Sequence, residues 1–303
     1  MKGKYDILWK GMLERVFDDF LRFVFPDADQ RFDMKKGFTY LDKELATLYP
    51  NPEEGTDTRF VDKLVQVYTL DGKEKFLLVH VEVQGNYDKT FTSRMFTYFY
   101  RVYDYYNRRP ILPVAVFSGE GGKWMGNRFH LEEDGMSLIY TFKTLDIADY
   151  TEEELKTSDN PFAGVMLVAK RLAIAGRDRP EKEQDKKAWD EKLLEQKTFL
   201  AEHLHAKGFD ESKIDGMFSF IENYVLFENP ENNRNFRERI DKITNKSNTM
   251  DILEQVAEIR AEQRAEEIAK NLLRETDFPV EKVAALAEVP VKIVMEIKES
   301  LHK

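Results

Sequence analysis

Along residues 5–25 the apolar positions Ile7, Leu8, Met12, Leu13, Val16, Phe17, Phe20, Leu21 and Val24 recur at three- and four-residue steps. That spacing predicts a helix with one apolar face. Pro26 closes it, and a short helix over 38–48 is expected to close at Pro50. The period then changes. Residues 59–70, RFVDKLVQVYTL, and 75–84, KFLLVHVEVQ, are rich in β-branched and apolar side chains and bracket Asp71-Gly72. An Asp-Gly pair between two such runs predicts a hairpin, with both central turn residues at positive φ. In the return strand Leu77, Val79, Val81 and Val83 share one face, and Leu78, His80, Glu82 and Gln84 share the other. A helix is expected over 90–108, ended by Pro110. The unbroken run ILPVAVFS at 111–118 predicts a buried strand. Two more strands are expected at 127–131 and 137–143.

From Asn160 onward nearly every segment has helical spacing. Asn160-Pro161 suits an N-cap followed by proline at the first helical position. Helices are expected at 161–175, 186–206 and 211–227. The polar stretch ENPENNRNFRE reads as a link to a long charged helix at 249–275, and the tail 279–301 as two short helices split at Pro290. The expected fold class is α/β (α+β): a small mixed β-sheet flanked by helices over 1–158, followed by an all-helical C-terminal region over 159–303.

With 303 residues and 42% hydrophobic content, the chain can bury a sizeable core. The absence of Cys excludes a disulfide scaffold, a thiolate metal site and a cysteine nucleophile. No apolar run approaches the roughly 20 residues that span a bilayer. Acids and bases interrupt the N-terminal pattern where a signal peptide has an unbroken apolar stretch. The expectation is a cytoplasmic protein with no membrane partner. The net charge of −10 argues against bulk electrostatic binding of nucleic acid, which needs many basic side chains. A local basic groove is still allowed.

The candidate chemistry lies at one end of the hairpin. Asp62 is near the start of the first strand and Glu82 near the end of the second. A two-residue turn at Asp71-Gly72 pairs residues whose numbers sum to about 143, which sets Glu82 opposite Val61, beside Asp62. Two carboxylates and the Val83 carbonyl offer hard oxygen ligands for Mg²⁺ (or Mn²⁺). Such an ion generates hydroxide and stabilises charge on a phosphodiester. Gln84 is a candidate to orient the attacking water, and His80 a candidate further ligand. On the next helix Arg94, Tyr98, Arg101, Tyr105 and Arg108 fall at steps of four, three, four and three and share a face. Met95, Phe99, Val102 and Tyr106 take the core side. Arginines alternating with tyrosines can track phosphates and stack on bases. Within 87–109 the five basic residues Lys89, Arg94, Arg101, Arg108 and Arg109 stand against Asp88 and Asp104. The plainer readings are a strand-start Asp62 paired with Arg59 or Lys63, a solvated edge strand, and a solvated helix face.

Asp62 followed about 20 residues later by Glu82-x-Gln84 resembles the D…(D/E)-x-K signature of the PD-(D/E)XK nuclease superfamily. With Arg59, the string LVHVEVQG, Arg94 and Tyr98, residues 5–145 resemble the Rpn family, recombination-promoting nucleases grouped with transposases. The resemblance implies a restriction-endonuclease-like core, Asp62 and Glu82 as metal ligands, Gln84 in the lysine position, and Glu44 as the acidic residue of the first helix. It departs from the superfamily signature at Gln84, which lacks the cationic charge of lysine although Gln is common there in the Rpn family, and at Val61, where the signature has proline. The implied function is a metal-dependent DNA endonuclease linked to recombination or mobile elements. The alternative is a non-catalytic nucleic-acid- or protein-binding regulator that retains the nuclease fold. The helix at 249–275 offers a contact for a homodimer. The tail has the length of a helix-turn-helix, with Lys292 and Lys298 offset by Glu296 and Glu299.

Overall fold

The structure, a computed structural model, describes residues 2–41, 61–82, 89–118, 125–244, 268–274, 276, 278–287, 289 and 291–301. At positions 2–6, 61–62, 74, 76–82, 292, 296 and 299–301 that description is of the backbone. The chain divides into two compact units, Met1–Thr249 and Met250–Lys303. The change of texture at 158–159 falls inside the first.

The N-terminal apolar stripe forms two helices rather than one. These are α1 (Lys2–Arg15) and α2 (Phe17–Val24), separated at Val16, whose φ of −121° and ψ of 28° leave the helical region. Trp9, Met12, Leu13, Val16, Phe17 and Phe20 are nonetheless all buried, so one apolar face survives the break. A short α3 (Ala28–Arg31) follows. The helix expected over 38–48 is replaced at its start by strand β1 (Thr39–Tyr40), paired with Val65 and Gln66; residues 42–48 lie outside the described residues.

Strands β2 (Val61–Tyr68), β3 (Glu74–Glu82) and β4 (Ile111–Phe117) follow the predicted order, with helix α4 (Phe91–Tyr105) joining β3 to β4. The stretch expected to form one strand at 137–143 divides. Strands β5 (Arg128–Glu133) and β6 (Met136–Thr141) form a separate ribbon, and β7 (Lys143–Asp146) joins the main sheet. Phe142 marks the bend: its N–H donates to the Asn127 carbonyl at 3.1 Å while its ring is buried. The main sheet has the order β1-β2-β3-β4-β7, antiparallel from β1 to β3 and parallel from β3 to β7. This is a mixed α/β fold with small sheets and many helices.

The helices are α5 (Glu152–Thr157), α6 (Pro161–Arg177), α7 (Glu183–Ala206), α8 (Glu211–Tyr224) and α9 (Glu231–Thr244). Asn160 caps α6 as predicted, its Oδ1 accepting from the Phe162 N–H at 2.8 Å. Helix α9 occupies the polar stretch that reads as a link. Phe236 and Ile240, four residues apart, anchor one side of it in the core, and Arg234 pairs with Glu231 and Glu238 on the other. The second unit holds α10 (Val280–Ala287) and α11 (Val291–Leu301) on a small core of its own, including Val283, Ala287 and Val294. Of the helix expected at 249–275, residues 268–274 are helical and the rest lies outside the described residues.

Both faces of the sheet are covered. Val65, Val67, Val114, Val116 and Leu145 share the large core with Trp9, Met12, Phe17, Phe20 and Phe162. On the other face Leu64 and Ile111 meet Val102, and Ala115 and Phe117 meet Phe91 and Met95 of α4. Two ion-paired lysines, Lys63 fully buried and Lys213 partly so, help hold the helical layer together. Lys63, on the large-core face, pairs with Glu14 and lies over the Tyr40 ring. Lys213 of α8 pairs with Asp18 and Asp19 of α2. Burial pushes the Asp19 carboxyl above its ordinary value, against the pull of Lys213.

The turn between β2 and β3 differs from the two-residue form. The Thr69 N–H donates to the Lys73 carbonyl at 2.9 Å, and the Gly72 N–H to the Thr69 carbonyl at 2.8 Å. The loop is therefore Leu70-Asp71-Gly72. Gly72 alone of the three has a positive φ, 79°, whereas a type I′ turn needs two such residues. Asp71 accepts from the Thr69 hydroxyl, the Lys73 N–H and the Lys73 ammonium. The Lys73 hydrogen bond, foremost among these, holds its carboxyl far below the usual carboxylate range. No atom lies within 4 Å of a Cβ added at Gly72, so Gly72→Ala meets backbone strain alone. We expect it to lower stability by about 1 kcal/mol, a fall in Tm of about 3 °C in a thermal melt.

Candidate active site

The three-residue turn changes the strand register by one, and with it the candidate site. The observed pairs are Val61 with Val81 and Asp62 with His80, so paired numbers sum to 142 rather than 143. Opposed residues share a face, and a one-residue slip sends a strand's whole side-chain set to the other face. The expected register puts Asp62 on the Val81 face, away from Glu82. The observed one puts positions 62, 80 and 82 on a single face, with 82 diagonal to 62 at a distance of about 7–8 Å. Leu64, next along this face of β2, is fully buried against α4.

The parallel strands extend the same row. Glu82 is level with Phe117 on β4, and Phe117 with Asp146 on β7. These are the carboxyl ends of three parallel strands, the edge where open α/β sheets bind ligands. Helix α4 begins beside this edge: Phe91 in its first turn packs on Phe117 with ring centroids 5.3 Å apart. Asp146 is a buried carboxylate that the sequence reading missed. It stands at the end of β7, of which the strand expected at 137–143 reaches only Lys143. A strand-terminal acid before a new 3-10 turn was the available signal. One of its oxygens accepts from the Ala148 N–H at 2.9 Å, capping that turn.

The arginine–tyrosine stripe of α4 is not one surface. Arg94 is half-buried one turn into the helix, its guanidinium 5.5 Å from the Phe91 ring, with Nε and Nη2 shielded from solvent. Tyr98 packs with Leu64, Val102 and Ile111. Arg101, Tyr105 and Arg108 are exposed. Arg108 lies beyond the helix, where the Asn107 N–H donates to the Asp104 carbonyl and the Arg108 N–H to that of Tyr103. This helix-ending motif seats Asn107 at φ 52°, a residue that tolerates it, and leaves Arg108 left-handed as well at φ 62°. The stripe thus splits into an inner pair, Arg94 and Tyr98, and an outer set around Arg101 and Arg108.

Glu44 and Gln84 lie outside the described residues, as do the side chains of Asp62, His80 and Glu82. Among the described residues no group of three or more His, Asp or Glu forms a metal-binding cluster, and no helix is long and apolar enough to cross a membrane. Comparison of the chain with models of protein families, with curated proteins and with solved structures found no match.

The register can be tested directly because the chain has no Cys. Positions 62 and 80 form a non-hydrogen-bonded pair, with Cα atoms about 4.5 Å apart, within disulfide reach. Asp62→Cys with His80→Cys is expected to cross-link under mild oxidation, read by gel mobility under non-reducing conditions. Asp62→Cys with Val81→Cys, the register of a two-residue turn, is expected to stay reduced.

Proposed function

We propose that this chain is a cytoplasmic, metal-dependent DNA endonuclease with a restriction-endonuclease-like core, acting in recombination or on mobile elements. One observation carries the reading: the even register of β2 and β3, which unites positions 62, 80 and 82 on one face at a sheet edge. The sheet order supports it, with an antiparallel hairpin, a crossing helix and a parallel third strand. So does the resemblance of Asp62…Glu82-x-Gln84 to the nuclease signature.

The residues suit Mg²⁺ or Mn²⁺, since the two carboxylates are hard oxygen donors and a diagonal of about 7–8 Å lets both reach one ion. When bound, the metal supplies a hydroxide nucleophile and stabilises charge on the scissile phosphate. In this reading Asp62 and Glu82 hold that metal. His80, between them on the same face, is a further ligand or a hydrogen-bond donor to phosphate. Gln84 orients the attacking water through its amide, and Glu44 adds an acidic group from the preceding segment. The first turn of α4 offers backbone N–H groups and a positive dipole end to a phosphate. Arg94 backs the site from inside the layer, Tyr98 holds α4 to the sheet, and Arg101 and Arg108 contact the DNA backbone.

The net charge of −10 and Gln84 in the lysine position favour the second reading, a binding protein that has kept the fold without the activity. Supercoiled-plasmid cleavage separates the two. The wild-type chain is expected to nick plasmid in Mg²⁺ or Mn²⁺ and not in EDTA. Asp62→Ala and Glu82→Ala are each expected to lose at least about 100-fold of that rate. Plasmid binding without cleavage by the metal-loaded wild type supports the regulator instead.

A further inference from the structure

The ribbon of β5 and β6 carries exposed apolar side chains. Among the described residues β5 pairs with β6 only, and β6 with β5 only. Isolated two-stranded hairpins are marginal in water. At its base the ribbon is anchored by Phe129 stacked on Phe96 of α4, with centroids 5.1 Å apart, and by Tyr140 against Phe99. Further out, Leu131, Met136 and Ile139 are 39%, 48% and 54% exposed. Tyr100, stacked in turn on Phe96, is 56% exposed.

The outer edge of β5, with which no described residue pairs, is complementary to itself. The bond from the Phe142 N–H to the Asn127 carbonyl makes residues 127 and 142 a hydrogen-bonded pair. By antiparallel alternation, the main-chain groups of residues 127, 129, 131 and 133 face β6. Those of Arg128, His130 and Glu132 face outward. An antiparallel partner centred on His130 then pairs those three residues with their own counterparts. Arg128 falls opposite Glu132 of a second copy, and Phe129 opposite its Leu131. Arg128 with Glu132 sets opposite charges together and Phe129 with Leu131 two apolar side chains, while His130 meets its own counterpart on the axis.

We infer that β5 is a dimerisation edge. Two copies of this chain join about a two-fold axis at His130, making a continuous sheet β6-β5-β5-β6. The contact is isologous, so every interaction occurs twice and the assembly closes as a dimer. It satisfies an edge that otherwise invites uncontrolled pairing. It also carries the Leu131 of each copy onto the Phe129–Phe96–Tyr100 stack of the other. Charge identifies the occupant. The ribbon tip, Glu132-Glu133-Asp134, repels a nucleic acid, whereas the Arg128 and Glu132 of a second copy meet these positions with the opposite signs. The inference is independent of the nuclease reading.

Sedimentation velocity on the full chain tests it. The wild type is expected to dimerise. Arg128→Glu alone and Glu132→Arg alone each set like charges together twice, and each is expected to weaken the dimer at least about tenfold. The double variant Arg128→Glu/Glu132→Arg restores opposite charges and is expected to return close to wild-type affinity. His130→Pro removes an outward N–H while leaving the β6 ladder intact, and is expected to leave monomer. Circular dichroism checks that each variant is folded. A wild type that stays monomeric overturns the inference. So does a dimer indifferent to all four variants, or a double variant no better than the singles.

Discussion

The backbone turn at residues 69–73 decides what the sheet edge can do. It holds three loop residues, one of them Gly72 at positive φ, and so the strands it joins pair with an even sum. Parity alone then sends Asp62 to the face of His80 and Glu82. One residue fewer in that loop and the two carboxylates stand on opposite faces. Both faces of the sheet are buried, so a slip also drives β2's charged and apolar positions into the wrong layers. Asp71 reinforces the arrangement by gathering Thr69 and Lys73 around its carboxylate.

The remainder of the first unit keeps that edge rigid. One face of the sheet rests on α1, α2 and the later helices, with Lys63 neutralised by Glu14 and Lys213 joining α8 to α2. The other face rests on α4. The right-hand side of the sheet, β3, β4 and β7, ends in one row through Glu82, Phe117 and Asp146. Helix α4 starts beside this row and brings Arg94 into the layer next to it. In the proposed reading this gives a carboxylate pair on rigid strands, backed by an arginine and approached along the outer arginines of α4.

Much of this was legible in the sequence. The hairpin, α4 and β4 follow from period and from Asp71-Gly72 and Pro110, because local chemistry dictates them. The Asn160 cap followed from its side chain for the same reason. What escaped depends on long-range packing. Thr39–Tyr40 pairs with β2 against its local helical pattern, and Phe142 turns the chain because its ring finds a pocket under α4. Residues 231–244 form a helix although nearly all of them are polar, since Phe236 and Ile240 suffice to anchor it. The register error had a subtler origin. Asp-Gly serves two-residue and three-residue loops alike, and only the φ of Asp71 distinguishes them. The candidate residues 62 and 82 were therefore identified correctly as sheet-end acids but assigned the wrong opposite partners.

The central claim is that the even register makes positions 62 and 82 one divalent-metal site. Electron paramagnetic resonance of Mn²⁺ titrated into the full chain tests it most directly. The account predicts one bound Mn²⁺ per chain, lost in Asp62→Asn and in Glu82→Gln and kept in Glu132→Gln on the ribbon. A wild type that binds no Mn²⁺, or Asp62→Asn and Glu82→Gln variants that bind it as the wild type does, contradicts it.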